Sequence, residues 1–208
     1  MVQTTGLAYA YNAHTAFRFP DIDLPDFENL IILGESGIGK TTLLHLLAGL
    51  LTPESGQIII NNKEITRLNP RELDHFRGNN VGFIFQRSYF VRSLSLIENL
   101  LLLQYLAGIK ADRKKINQVL DSLGIKDKGH RKTYQLSQGE QQRASIALAV
   151  INDPKVILAD EPTSSLDDKN CHAVATLLKS RAKETGANLV VITHDQRLKS
   201  EFKNYLQL

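Results

Sequence analysis

The stretch Gly34-Glu35-Ser36-Gly37-Ile38-Gly39-Lys40-Thr41-Thr42 limits what this chain can fold into more than any other part of it. It follows the apolar run 30–33 and precedes the helical pattern 41–51, so a strand enters the loop and a helix leaves it. Gly-x-x-x-x-Gly-Lys-Thr in that setting is a phosphate-binding loop. Its glycines, Gly34, Gly37 and Gly39, let successive backbone N–H groups face phosphate oxygens, and the helix start adds partial positive charge. Lys40 is expected to reach the β- and γ-phosphates, Thr41 to ligate Mg²⁺, and Ser36 and Thr42 to line the nucleotide. Chance alone would produce the pattern in about one chain of this size per hundred. The strand-loop-helix context makes an accident rarer still.

The other apolar runs extend the same design. Residues 81–85, 156–159 and 189–192 read as buried parallel strands, with helical patterns such as 172–182 between them. Alternating strands and helices predict an α/β fold, a P-loop NTPase core with a mainly parallel sheet. Residues 7–11 and 57–60 predict an N-terminal antiparallel β subdomain, and 204–208 a last strand. The segment 87–150 reads as helix throughout, broken at Gly108, Gly124 and Gly129. The expected organisation is a single domain over 1–208. In it, 1–86 and 151–208 form the nucleotide-binding core, and 87–150 is an inserted α-helical subdomain.

Composition removes several alternatives. With 208 residues, 42% apolar and 23% charged, the chain can bury a core as a globular protein. A net charge of +3 and the lack of a dense Lys/Arg stripe argue against nucleic acid as a partner. A lone cysteine, Cys171, forms no internal disulfide. The N-terminus has no basic stretch leading into an apolar one, so no signal peptide is expected. Residues 94–109, the most apolar stretch, are interrupted by Ser95, Glu98, Asn99 and Gln104. A bilayer span needs about 20 mostly apolar residues. A cytoplasmic location is the expectation.

Two strand ends carry further chemistry. Val156-Ile157-Leu158-Ala159-Asp160-Glu161 ends a buried strand in two carboxylates, at the sheet edge where α/β proteins bind ligands. Asp160 is placed to hold the Mg²⁺ shell opposite Thr41. Glu161, pointing the other way, is placed to orient and deprotonate an attacking water. Val190-Val191-Ile192-Thr193-His194 ends a further strand in a histidine that could contact the γ-phosphate and hold that water. Position alone leaves His194 open between a structural and a catalytic role.

Leu136-Ser137-Gln138-Gly139-Glu140-Gln141-Gln142-Arg143 resembles the signature motif of ABC-type ATPases, usually written LSGGQ. Five more segments then resemble family motifs in the family's order. Gly34–Thr41 looks like Walker A, Gln86 like the Q-loop glutamine, and 156–161 like Walker B with its catalytic glutamate. Ser165-Leu166-Asp167 looks like the D-loop, and His194 like the switch histidine. The resemblance implies Mg²⁺-dependent ATP hydrolysis in a head-to-tail homodimer, each Walker A nucleotide capped by Ser137 and the Gly139 N–H of the other copy. It implies that Gln86 senses Mg²⁺ and nucleotide, and that a separate membrane permease holds the subunit at the inner face of the cell membrane. Tyr11 matches the aromatic that stacks on adenine. Tyr9 lies on the same strand face, so alternation does not choose between them. Ser137-x-x-Glu140 is at the same time a capping box for the apolar helix after it. Gln138 departs from the family's usual glycine. As the first helical residue it has negative φ, which tolerates a side chain.

Roughly fifty residues separate Gln86 from Ser137, too few for the coiled-coil insertion of chromosome-maintenance relatives. The run from Gln86 to Leu100 resembles the lipoprotein-release and macrolide-export subfamily, which implies export or extraction through the permease. A non-transport ABC switch acting on a cell-division or cell-wall membrane partner is the alternative. A small-molecule kinase would leave 136–143 unexplained.

Overall fold

The computed structural model describes residues 1–12, 14–163 and 168–208, with backbone alone for 168–170. Chain order is β1 (Val2–Asn12), β2 (Thr15–Arg18), β3 (Ile22–Leu24), β4 (Asn29–Leu33), α1 (Lys40–Leu47), β5 (Ser55–Ile60), β6 (Lys63–Glu64) and α2 (Pro70–Asn80). There follow β7 (Val81–Ile84), α3 (Leu96–Leu106), α4 (Arg113–Ser122), α5 (Gln138–Val150), β8 (Val156–Asp160), α6 (Asp168–Thr185), β9 (Asn188–Thr193) and β10 (Asn204–Gln207). One sheet is parallel, in the order β10-β4-β9-β8-β7. The other is antiparallel, built on β1 with β2, β3 and β5, and β6 beyond β5. Both sheets were expected, and so was a final strand, β10.

The inner parallel strands β4, β8 and β9 are apolar on both faces because both faces are covered. Side chains alternate, so Ile31, Leu33, Ile157, Ala159, Leu189 and Val191 pack on one side with residues of α3, α5 and α6. Leu30, Ile32, Val156, Leu158, Val190 and Ile192 pack on the other with α1 and the antiparallel sheet. Two cores thus share one sheet, and β4, β8 and β9 are clamped from both sides. That rigidity fixes where their C-terminal ends lie.

The segment 87–150 is not helical throughout. Residues 87–95 carry no helix, because Ser95 and Glu98 form a capping box that starts α3 only at Leu96. The buried Asn99 amide takes up backbone groups of the preceding loop: it accepts from Val91 N–H at 2.8 Å and donates to Val91, Leu94 and Ser95 carbonyls. Gly108 and Gly124, with φ of 72° and 66°, follow the ends of α3 and α4 as expected. Gly129 is different. Its φ is −52°, and a Cβ there would meet Ile97 Cδ1 at 2.7 Å, so the demand is for closeness to α3. Helix α1 ends at Leu47, short of the expected 51, with Gly49 at φ 64° just beyond. Strand β7 stops at Ile84, one residue short of Phe85. Among the described residues, no helix is long and apolar enough to cross a membrane.

Candidate functional site

Strand order brings together what the sequence keeps far apart. β9 lies between β4 and β8, pairing Leu33 with Thr193 and Asp160 with Ile192. The residues just beyond these pairs are Gly34, His194 and Glu161, side by side at the carboxyl edge of the parallel sheet.

The loop after β4 has the backbone a phosphate cradle needs. Gly37 and Gly39 have φ of 85° and 102°, a region L side chains rarely adopt. A Cβ on Gly39 would also meet Phe17 Cδ1 at 2.7 Å, because that ring from β2 packs directly on the loop. Gly39 is the N-cap of α1 and makes no side-chain capping bond, so no side chain screens the N–H groups of the first turn. Lys40 is buried, and its Nζ donates to the Gly34 and Glu35 carbonyls at 2.8 Å each. Ser36 and Thr41 are exposed, and Thr42 is buried.

Thr41 and Asp160 meet across the site, the hydroxyl donating to Oδ1 at 3.4 Å. Burial pushes the Asp160 carboxyl above its ordinary value. Donation from Thr41 opposes that rise, and the neighbouring Glu161 charge adds to it. A hydroxyl beside a carboxylate that is costly to leave charged suits a small hard cation. Among the described residues no group of three or more His, Cys, Asp and Glu gathers around a metal centre. Mg²⁺ takes one or two protein ligands and fills the rest of its shell with phosphate oxygens and water.

Glu161 turns away from Asp160 toward β9. Its Oε2 accepts the Thr193 hydroxyl at 2.8 Å, and its Oε1 accepts the His194 N–H at 3.1 Å. The same Oε1 lies 2.9 Å from His194 Nδ1 and 4.0 Å from Lys40 Nζ. The Glu161 side chain is 11% exposed and that of His194 56%. Glu161 also has φ of 47°, a left-handed conformation unusual for a residue with a side chain.

Tyr11 reaches α1 through its hydroxyl. The Tyr11 hydroxyl lies 3.2 Å from Thr42 Oγ1, and its ring is half exposed beside the loop. Tyr9 packs edge-on to it, with centroids 4.9 Å apart. A register shift between Ala10 and Asn12 falls at Tyr11. Bulges re-aim side chains in this way, which simple alternation does not foresee.

Three of the expected residues stand outside this cluster. Gln86 is exposed two residues beyond β7. Ser137 and Gly139 lie exposed at the start of α5, where Ser137 is the N-cap and Glu140 completes the box. Gln138 is the first helical residue, as expected. A Cβ on Gly139 would meet nothing within 4 Å among the described residues, so none of their packing demands that glycine. α5 is tied back to the site nonetheless. Gln142 donates to the Pro162 carbonyl at 3.0 Å, and Ser145 Oγ donates to Ser88 Oγ at 2.7 Å. Residues 165–167 lie outside the described residues.

Sequence reasoning missed Thr193 and Asp195. Asp195 Oδ2 accepts from Thr163 at 3.4 Å and Cys171 at 3.5 Å, and Arg197 holds the carboxyl down to about 2. The available signal was a polar residue closing the apolar run 189–192.

A glycine loop between a strand and a helix, faced by carboxylates from the next strand but one in the sheet, defines a P-loop nucleotide-binding protein. Comparison with known proteins narrows the class. The family model described as "ABC transporter" matches residues 19–164. The lipoprotein-releasing system ATP-binding protein LolD of Bacteroides fragilis is 34% identical over 95% of this chain and 93% of its own length. The ABC transporter ATP-binding protein YtrE of Bacillus subtilis is 41% identical over 85% of this chain and 78% of its own. A dimeric ATP-binding cassette solved in a post-hydrolysis state with ADP and Pi superimposes with a TM-score of 0.89 at 30% identity, covering 100% of this chain and 94% of that one. The chain belongs to the ABC transporter family, as an ATP-binding and ATP-hydrolysing subunit.

Proposed function

We propose that two copies of this subunit close head-to-tail on ATP and that hydrolysis drives export or extraction through a separate membrane permease. The observation that carries this reading is a division of the site. Loop, cation ligands and carboxylate converge at one sheet edge, while the capped helix start at Ser137 faces outward from the same chain. A second copy is the natural source of a Ser137 and Gly139 for each nucleotide.

In this reading Gly34–Thr42 cradle the phosphates, and Lys40 exchanges its loop carbonyls for phosphate oxygens. Tyr11 stacks on adenine. Thr41 and Asp160, with Gln86 approaching from β7, hold Mg²⁺. When bound, that ion offsets the charge on the phosphate oxygens. Glu161 takes a proton from the attacking water, and His194 fixes the water and the γ-phosphate. Residues 87–150 act as a helical unit that carries Ser137. The substitution Gln138→Gly is expected to leave steady-state hydrolysis within about tenfold, about 1.4 kcal/mol in the barrier. A hundredfold change would give position 138 a role of its own.

A groove of about 580 Å³ beside Gln86, lined by Phe83, Phe85, Tyr89, Leu103, Leu106 and Ala149, supports a docking role. Tyr89 and Leu106 stand largely exposed at its rim. An aromatic run from His45 of α1 through Phe83 and Phe85 to Tyr89 joins the phosphate-loop helix to this groove, with centroids 5.7, 4.2 and 4.9 Å apart. The relatives named for lipoprotein release support extraction as the direction of work. The test is co-purification with the product of an adjacent permease gene. Leu106→Glu is expected to reduce capture of that permease by about tenfold or more while ATP binding stays unchanged. Undiminished capture would remove the groove from the account, and no capture by the wild-type subunit would remove the permease.

A further inference from the structure

We propose that Thr193 is a positioning residue for hydrolysis: its hydroxyl holds the Glu161 carboxylate in a fixed relation to the turn that carries His194. The proposal rests on Glu161 acting as the base. Thr193 closes β9 and is wholly buried. Its hydroxyl does two things at once. It donates to Glu161 Oε2 at 2.8 Å, and its oxygen accepts the Asp195 N–H at 3.0 Å. Base and histidine turn are thereby pinned to one atom, with His194 between the two attachment points.

Both sides of this pin are themselves anchored. On one side, the Glu161 N–H donates to the Ile192 carbonyl at 2.9 Å, which sets the backbone of the base against β9. On the other, Asp195 is held by Arg197, whose Nε lies 2.8 Å from Oδ1 and whose Nη2 lies 2.6 Å from Oδ2. The Glu161 side chain between these anchors is set by its own hydrogen bonds. Oε1 is fixed by the His194 N–H, and Oε2 by Thr193. Two fixed oxygens define the carboxylate plane and so the direction of the lone pairs that take a proton. Losing Thr193 would take away the hydroxyl that fixes Oε2 and so weaken the definition of that plane. Because the site is buried, the hydroxyl cannot readily be replaced by bulk water.

Only a hydroxyl meets this double demand in so small a volume. Valine matches threonine in shape and β-branching but neither donates nor accepts, and serine keeps the hydroxyl while losing a methyl. Steady-state hydrolysis by the complete chain therefore separates the roles. Thr193→Val is expected to lower kcat about tenfold, the rate equivalent of one hydrogen bond to a charged group, with KM for ATP within about twofold. Thr193→Ser is expected to restore most of the loss. Unchanged or raised kcat in Thr193→Val would overturn the proposal, as would a loss that Thr193→Ser shares, since that reports packing. If Thr193→Val loses ATP binding through misfolding, Thr193→Ala must show the same split between kcat and KM. Otherwise the proposal falls. Glu161→Gln is measured alongside. Full turnover in it would sink the base itself, whereas an inactive Glu161→Gln beside a normal Thr193→Val would sink Thr193 alone.

Discussion

Glu161→Gln is expected to cut ATP turnover by roughly 10²–10⁴, the usual worth of a general base, while ATP binding persists. Gln keeps the length and planarity of the side chain, and its single amide oxygen can still accept one of the two bonds, from the His194 N–H or from the Thr193 hydroxyl. It removes the negative charge and the proton affinity. In the proposed reading binding is carried by other residues, the loop and Lys40, so nucleotide should accumulate in a closed dimer that cannot proceed. Size-exclusion chromatography with ATP should show a dimer for this variant, and phosphate release should show its slow turnover. Normal turnover would falsify the role given to Glu161.

Lys40→Ala acts one step earlier. The ammonium is buried and gives hydrogen bonds to two loop carbonyls, so its removal strips the cradle of its cation and leaves Gly34 and Glu35 oxygens without those donors. Hydrogen bonds involving a charged group are worth about 1.5–3 kcal/mol each. A loss of ATP affinity of about a hundredfold, ~2.7 kcal/mol, is the expected result by calorimetry or nucleotide fluorescence. The two variants should differ in kind. Glu161→Gln binds and stalls, whereas Lys40→Ala fails to bind. Unchanged affinity in Lys40→Ala would count against the phosphate loop.

Strands β4, β8 and β9 were legible in the sequence because burial on both faces makes them continuous apolar runs, and each ends at a residue with chemistry. The start of α5 was legible because Ser137 and Glu140 form a capping signature whatever else they do. Helix α2 was missed although Asn69, Pro70 and Glu72 carry the same signature, because its apolar content is low and only Phe76 is buried. The loop 87–95 was mistaken for helix because Leu94 and Leu96 continue an apolar pattern, and the side chain of Asn99 that organises the turn lies downstream of it. Alternation could not choose between Tyr9 and Tyr11 as the proposed partner of adenine, because a bulge at Tyr11 breaks the period-2 rule. Thr193 was hidden for a different reason. Its importance lies in a partner 32 residues away that only the sheet order brings near.

The left-handed backbone at Glu161 exposes a conflict between durability and work. A residue with a side chain held at φ 47° costs on the order of 1 kcal/mol, a burden glycine would shed. Selection for sturdiness alone would therefore drift toward glycine at this corner and yield a tougher, idle molecule. With the base role proposed for Glu161, a carboxylate at this corner means that the chain accepts fragility for the sake of turnover.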